Sequence, residues 1–366
     1  MRIEELDFEL PEEAIAQEPA APRDACRLMY LPTSGPTAHT IFSELPHLLR
    51  PDDLLVFNDS KVLPARVLAR RNSGAEVEFL FLHRAGYSRA GAEERWEALV
   101  RPSKRLKSGE VLLVDRRPCL GLREYLGDGR WVVESVGGTT VVDIMEDYGR
   151  LPLPPYIKEY PVDHGVYQTV YGRVPGSAAA PTAGLHFTDG LLSLLKQAGV
   201  RSVGVTLHVG LDTFLPIRES VVEEHPIHRE RYEVSQEALQ IIRSTRSKGG
   251  RVIAVGTTSV RVLETLARDG TLTQDGLEHD GDSDIVEGST DIFITPGHGF
   301  LAVDALLTNL HLPRSSVLAL TMAFGGVERI RKAYVDAVEK GYRFFSFGDA
   351  MLVERPREGT GCVDES

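Results

Sequence analysis

The sequence predicts an α/β protein in two parts. A helix-covered, largely parallel sheet is assembled from residues 1–65 and 151–366, and a small antiparallel β-barrel is inserted at residues 66–150. Three observations lead there. The 366 residues are enough for two domains. Residues 66–150 read as short runs of β-formers separated by NSG, KSG, GDG and GG turns. After residue 150 strands and helices alternate, the texture of a parallel sheet with crossover helices.

Taken in order, ARVLARR, EVEFLFLH, RWEALVRP, GEVLLVD, CLGLREYL, RWVVESV and TTVVDIM are the expected strands of the insert, a number and spacing suited to a small barrel. LPLPPYIKEYP reads as a Pro-rich linker back to the first domain. Thr188 and Asp189 cap a helix over DGLLSLLKQAG, which stops at Gly199, and SVGVTLHVG follows as a strand. SQEALQIIRSTRSKGG is a second helix, VIAV a buried strand, and GTTSVRVLETLA a third helix. Residues 271–289, acidic and rich in glycine, are expected to form a surface loop. VERIRKAYVDAVEK places Val327, Ile330, Tyr334, Ala337 and Val338 at helical spacing. YRFFSF is read as a strand ending at Gly348 and Asp349, and RPREGTGCVDES as a frayed tail.

Composition excludes several classes. Hydrophobic residues make up 42% and charged residues 26%, ordinary for a globular protein with a substantial core. No run approaches the length of a membrane span, and MRIEELDFELPEEAIAQ lacks the apolar centre of a signal peptide. Cys26, Cys119 and Cys362 form no C-x-x-C pair, so free thiols in the cytoplasm are expected. The net charge of −12 argues against indiscriminate nucleic-acid binding. Residues 66–150, however, hold 15 Lys and Arg against 13 Asp and Glu. Their densest run, RPSKRLK, offers Arg101, Lys104, Arg105 and Lys107 as a local patch for one polyanion, or as a solvated loop.

Two stretches suggest chemistry. GTTSVR follows an apolar strand and opens a helix. The unpaired N–H groups of its first turn, the hydroxyls of Thr257, Thr258 and Ser259, and Arg261 suit a carboxylate or phosphate; an ordinary helix cap is the alternative. SAAAPTAGLHFT spends nearly all its positions on small side chains before His186, as a loop would that lets a ligand approach the backbone or that packs closely on a sheet. His208, His225, His228 and His311 join His186 as proton-transfer candidates. His225-x-x-His228 with Glu224 and Glu230 has metal-like spacing, but Pro226 interrupts it and no metal is expected. GHGFLA fits G-x-G-x-x-A yet lacks the acid about 20 residues on that a dinucleotide site wants.

The blocks AIAQEPAAPRDACRL, LLVFNDSKVLPARV, YQTVYGRVPGSAAAPTAGLHFT, VTLHVGLDTF, VIAVGTTSVRVLE, DALLTNLHLP and GYRFFSFGDAML together carry a resemblance. Over essentially the whole chain the sequence resembles the S-adenosylmethionine:tRNA ribosyltransferase-isomerase family of queuosine biosynthesis. The resemblance implies an α/β domain with an inserted barrel. It also implies transfer and isomerisation of the ribosyl group of S-adenosylmethionine (AdoMet) onto 7-aminomethyl-7-deazaguanine at the wobble position of tRNA, giving epoxyqueuosine-tRNA, adenine and methionine. No cofactor beyond AdoMet as co-substrate, no metal, no membrane and a cytoplasmic monomer are expected. The sequence departs from the family's pattern at Asp212, Leu215, Ile227, Arg231 and His298.

That chemistry needs a base for a proton beside the sulfonium, a proton source for departing adenine, and a neutral amine from the tRNA. His186 and His208 are the leading acid/base candidates, with His228 and Glu230 behind them, and Asp349 is placed to face the sulfonium or a ribose hydroxyl. The substrate-lining set is Thr182, Ala183, Gly184, Gly256, Thr257, Thr258, Ser259, Arg261, Asn309 and His311. Arg101, Lys104, Arg105 and Lys107 are assigned to tRNA phosphates. An RNA-binding module without catalysis and an AdoMet methyltransferase are the competing readings; released adenine separates both from a ribosyl transferase.

Overall fold

The computed structural model describes residues 1–87, 94–154, 156–158, 164–210, 217–227, 229–273 and 284–356. Among these, one sheet of nine strands and one barrel dominate. The chain begins with β1 (Arg27–Leu31), β2 (Ala38–Ile41), a short α1 (Leu45–Leu48), β3 (Leu54–Asn58) and β4 (Ser60–Val62). The barrel follows as β5 (Arg66–Arg70), β6 (Glu76–Tyr87), β7 (Glu94–Arg101), β8 (Val111–Val114), β9 (Arg117–Gly127), β10 (Arg130–Ser135), α2 (Val141–Tyr148) and β11 (Gly149–Arg150). The remainder contributes β12 (Val174–Ser177), α3 (Asp189–Gln197), β13 (Arg201–Leu207), β14 (Glu230–Ser235), α4 (Gln236–Ser247) and β15 (Val252–Val255). It closes with α5 (Thr257–Arg268), β16 (Ile285–Thr290), β17 (Ala305–Asn309), α6 (Ser316–Gly325), α7 (Val327–Glu339) and β18 (Ala350–Glu354).

The large sheet runs β16-β14-β13-β3-β15-β17-β18-β1-β2. Its centre, β13-β3-β15-β17, is parallel as expected, whereas β14, β16, β18 and β2 each make antiparallel pairings that render the whole sheet mixed. Every residue of β3, β15, β17 and β18 is buried, because helices and loops cover both faces. Alternation divides the side chains. Val56, Ala254 and Leu306 join α4–α7 on one face, while Leu55, Phe57, Ile253 and Leu307 meet Phe187, Leu191 and Leu195 on the other.

In the barrel, the order β5-β6-β7-β10-β9-β8 closes where Arg70 pairs with Leu113. Inward residues such as Val67 and Ala69 alternate with exposed Leu68. TTVVDIM, expected as a strand, is instead the start of α2. Thr140 accepts from the N–H of Asp143 while the Asp143 carboxylate takes the N–H and hydroxyl of Thr140, a reciprocal cap that starts the helix. Val141, Ile144 and Met145 then share one face in the barrel core.

Three other expectations change. YRFFSF is not a strand; β18 starts after it, at Ala350. The Asp349 carboxylate holds the turn there by accepting the N–H groups of Arg27 and Arg343. The Pro-rich segment is packed rather than exposed, with Leu151, Leu153 and Ile157 buried beside Tyr167 and Phe347. The end of the expected surface loop is β16, which pairs with β14.

Opposite the carboxyl ends of the parallel strands, Arg251 ties the sheet together. It binds Asp53 through Nε (2.9 Å) and Nη2 (2.6 Å), and Glu354 through Nη1 (2.5 Å). Burial works against the charge of Glu354, but the N–H and hydroxyl of Thr33 and the Arg251 guanidinium outweigh it and hold the carboxyl down at about 2. A depressed carboxyl contributes stability above its ordinary value of 4.5 and loses it as pH falls towards about 2. Thermal unfolding measured between pH 5 and pH 2.5 is therefore expected to fall more steeply in the parent than in Glu354→Gln; identical slopes would contradict this.

Candidate active site

The carboxyl ends of β3, β13, β15 and β17 lie side by side, where open α/β sheets gather their ligands. Beyond β15 and β17 a cavity of about 830 Å³, its open mouth included, is bounded by Ala180–Ala183, the start of α5, the end of β17, the start of α6 and residues 345–346. Among the described residues, no side chain in its wall carries a full charge.

Of the expected substrate-lining residues, Thr182, Ala183, Gly256 and Thr257 line it, as do Thr258, Asn309 and His311. Gly256 takes a φ of +85°, which turns the chain from β15 into α5. The buried Thr258 Oγ1 has no protein partner. Ser259 points the other way, its hydroxyl donating to the Val255 carbonyl at 2.8 Å. Gly184 faces inward as well: a Cβ there would fall 1.8 Å from the Tyr171 hydroxyl oxygen. Arg261 is held by the buried Glu230 and by the Ile292 carbonyl (3.3 Å), so its guanidinium does not stand at the cavity.

Behind the wall runs a hydrogen-bonded chain. Asn309 Nδ2 donates to His186 Nε2 (2.9 Å) and to the Phe345 carbonyl (3.1 Å), while its Oδ1 accepts from Thr182 Oγ1 (3.3 Å). His186 Nδ1 lies 3.3 Å from Cys26 Sγ. Burial pulls the imidazole down to about 3 and pushes the Cys26 thiol up, so both are neutral near pH 7. His186, a leading acid/base candidate from the sequence, is thus placed to orient Asn309 and does not line the cavity. His311 lines the cavity; burial lowers it to about 3, and its Nε2 lies 3.0 Å from Thr308 Oγ1.

The other acid/base candidates do not themselves line the cavity among the described residues, although Val209, next to His208, does. His208, at the end of β13, lies against Gly176, where a Cβ would come within 2.8 Å of the ring. Burial lowers its pKa, and its Nδ1 has no partner. Glu230 is engaged by Gly210 N–H (2.9 Å) and Arg261. Asp349 does not reach the cavity, because Arg27 and the Arg343 N–H occupy its oxygens. His228 lies outside the described residues, as do Asp212 and Leu215. His225 pairs with Glu219 at 2.7 Å.

Sequence reading missed Tyr156, Thr308, Phe345 and Ser346. Tyr156 and Phe345 form an aromatic pair with centroids 4.0 Å apart. Phe345 has a φ of +74°, rare for a bulky side chain, and is fixed by its N–H to Leu310 O (2.9 Å) and by Asn309 and Gly348 donating to its carbonyl. Asp59, just past β3, is not among the described wall residues. It is buried and accepts from Thr206 Oγ1 (2.6 Å) and Arg173 Nε (2.7 Å).

Comparison with known proteins is decisive. A family described as queuosine biosynthesis protein matches residues 3–353. A Rubrobacter xylanophilus protein named S-adenosylmethionine:tRNA ribosyltransferase-isomerase is 50% identical over 355 residues, covering 96% of this chain and 98% of its own. The chain belongs to the S-adenosylmethionine:tRNA ribosyltransferase-isomerase family. It is an enzyme of queuosine biosynthesis. An Anaeromyxobacter sp. member of the family is 48% identical, covering 97% of this chain and 99% of its own. The crystal structure of an S-adenosylmethionine tRNA ribosyltransferase from Thermotoga maritima is 39% identical, covers 95% of this chain and 99% of its own, and superposes with a TM-score of 0.53.

In GHGFLA, at one of the departures from the family's pattern, His298 Nε2 lies 3.6 Å from the buried Glu264, whose carboxylate accepts the N–H groups of Leu301, Ala302 and Val303. The loop is organised by this glutamate, with no strand before it. On the barrel, Arg101, Lys104, Arg105 and Lys107 are exposed and form no ion pair among the described residues. Arg66, Arg70, Arg71, Arg95, Arg123 and Arg130 of the barrel, by contrast, pair with Glu76, Glu78, Glu97, Glu110 and Glu134.

Proposed function

We propose that the enzyme transfers and isomerises the ribosyl group of AdoMet onto 7-aminomethyl-7-deazaguanine in tRNA, giving epoxyqueuosine-tRNA, adenine and methionine. It acts as a monomer, without a metal or a cofactor beyond AdoMet as co-substrate. The observation that carries this reading is the cavity at the N-terminus of α5, uncharged among its described residues, with Thr258 Oγ1 unpartnered in its wall. The free N–H groups of a helix's first turn and a hydroxyl suit the methionine carboxylate. Tyr156 and Phe345 offer aromatic surface to adenine or to the sulfonium. Asn309 Oδ1 keeps a lone pair for the exocyclic amine of adenine once Thr182 has used the other.

His208 is our choice of base. Burial keeps it neutral, and Nδ1 is without a partner. His186 holds Asn309 in position. Arg101, Lys104, Arg105 and Lys107 meet tRNA phosphates.

Thr258→Ala is expected to weaken AdoMet binding about tenfold or more, the ~1.5–3 kcal/mol of a hydrogen bond to a charged group. Ser259→Ala, whose hydroxyl faces away, should bind AdoMet as the parent does; calorimetric titration of both checks this. The function itself is tested by incubating the enzyme with AdoMet and precursor tRNA in the presence of a chelator. Free adenine and methionine with modified tRNA are expected. S-adenosylhomocysteine in place of adenine would make it a methyltransferase, and binding without turnover an RNA-binding module.

A further inference from the structure

We infer that Tyr125 is a stacking platform for an unpaired base of the RNA, set beside the phosphate-binding loop; this rests on the proposed reading that tRNA is the acceptor. The side chain is 54% exposed, yet it is fixed rather than loose. Its ring lies against Trp131 with centroids 5.1 Å apart, and its hydroxyl accepts from the Gly129 N–H at 3.4 Å. Register brings this about, since Trp131 on β10 stands opposite Tyr125 on β9.

Trp131 links the platform to the basic loop. Its Nε1 donates to Ser103 Oγ at 2.8 Å, and Ser103 lies between Arg101 and Lys104. This end of the barrel therefore joins a held aromatic ring to four exposed cations without carboxylate partners among the described residues. Leu126, 38% exposed, extends the apolar part. Aromatic rings on which unstacked bases rest, flanked by cations that follow the phosphates, are how proteins bind single-stranded segments. An unmodified double helix offers no free base face, so the surface fits RNA with splayed bases, as in a loop. Because Trp131 and Gly129 hold the ring, little side-chain entropy is lost on stacking.

The test measures binding of precursor tRNA, and of a fully paired RNA duplex, by the parent, Tyr125→Ala, Tyr125→Leu, Tyr125→Phe and Lys104→Glu at two salt concentrations. Leucine keeps apolar cover over Trp131 while removing the aromatic face, and thermal unfolding reports whether each variant is intact. Tyr125→Ala and Tyr125→Leu are expected to bind tRNA about 5- to 100-fold more weakly with the parental salt slope, and to bind the duplex as the parent does. Tyr125→Phe should match the parent on both. Lys104→Glu should flatten the salt slope by roughly one unit. Parental tRNA affinity in Tyr125→Ala and Tyr125→Leu, or equal losses for tRNA and duplex, would overturn the platform and leave the proposed function standing. A parent that neither binds tRNA nor releases adenine would overturn the function itself.

Discussion

Gly184→Ala should collapse the wall of the cavity and remove activity, although it adds a single methyl group. The new Cβ would stand 1.8 Å from the Tyr171 hydroxyl oxygen, 2.7 Å from Cζ and 2.9 Å from Thr169 Cγ2. Tyr171 cannot swing aside, because its ring rests on Phe57 at 4.3 Å and near Phe187 at 6.3 Å. Overpacking of this kind typically costs about 1–3 kcal/mol, and a rigid aromatic neighbour puts the substitution at the upper end. Thr182 and Ala183, which line the cavity, lie on the same short helical turn and would move with it. Adding Tyr171→Phe removes the nearest atom and should restore part of the stability. Equilibrium unfolding of both variants checks this; a Gly184→Ala protein with parental stability would show that the small residues there are not required by packing.

Arg251→Met carries the other large effect. The substitution leaves Asp53 (2% exposed side chain) and Glu354 (7%) without their shared cation. Removing one member of a buried ion pair costs about 3–5 kcal/mol, since the remaining charge is stranded. Thr33 still bonds Glu354, and Asp53 keeps the Arg50 N–H at 2.7 Å, so the loss should not exceed that range. Urea unfolding gives the number, and a loss below about 1 kcal/mol would mean that the network contributes little. AdoMet binding by the fraction that remains folded should be unaffected, because the triad lies at the other end of the strands from the cavity.

Much of the architecture was legible because burial on two faces writes continuous apolar runs. VIAV was read as a strand from such a run, LLVFN and ALLTN carry the same signal although they were not singled out, and Thr188 capped α3 as expected. The helix in TTVVDIM was hidden by its β-branched residues, although Thr140 with Asp143 is a capping signal. YRFFSF misled in the opposite sense: its aromatic side chains pack around an irregular segment in which Phe345 has a positive φ.

The site was legible where it lies close to the chain's own punctuation. Gly256, Thr257 and Thr258 announce themselves after an apolar strand. Thr308 carries the same signal, a polar residue near the end of a buried strand, and was open to the rule that found GTTSVR. Tyr156 and Phe345 carry no such local sign, because only the fold brings residues 189 positions apart into contact. The small residues of SAAAPTAGLHFT serve two purposes. Ala180 and Ala183 open onto the cavity, while Gly184 makes room for Tyr171.

The central claim is that the space between this stretch and the N-terminus of α5 receives AdoMet. Titration of AdoMet into Val317→Trp tests it most directly, because Val317 is a half-buried wall residue on the first turn of α6 and an indole there would occupy the space. The account predicts at least about a tenfold loss of AdoMet affinity, equivalent to 1.4 kcal/mol, with unfolding close to that of the parent. Parental affinity in a folded Val317→Trp enzyme whose cavity is filled would contradict it.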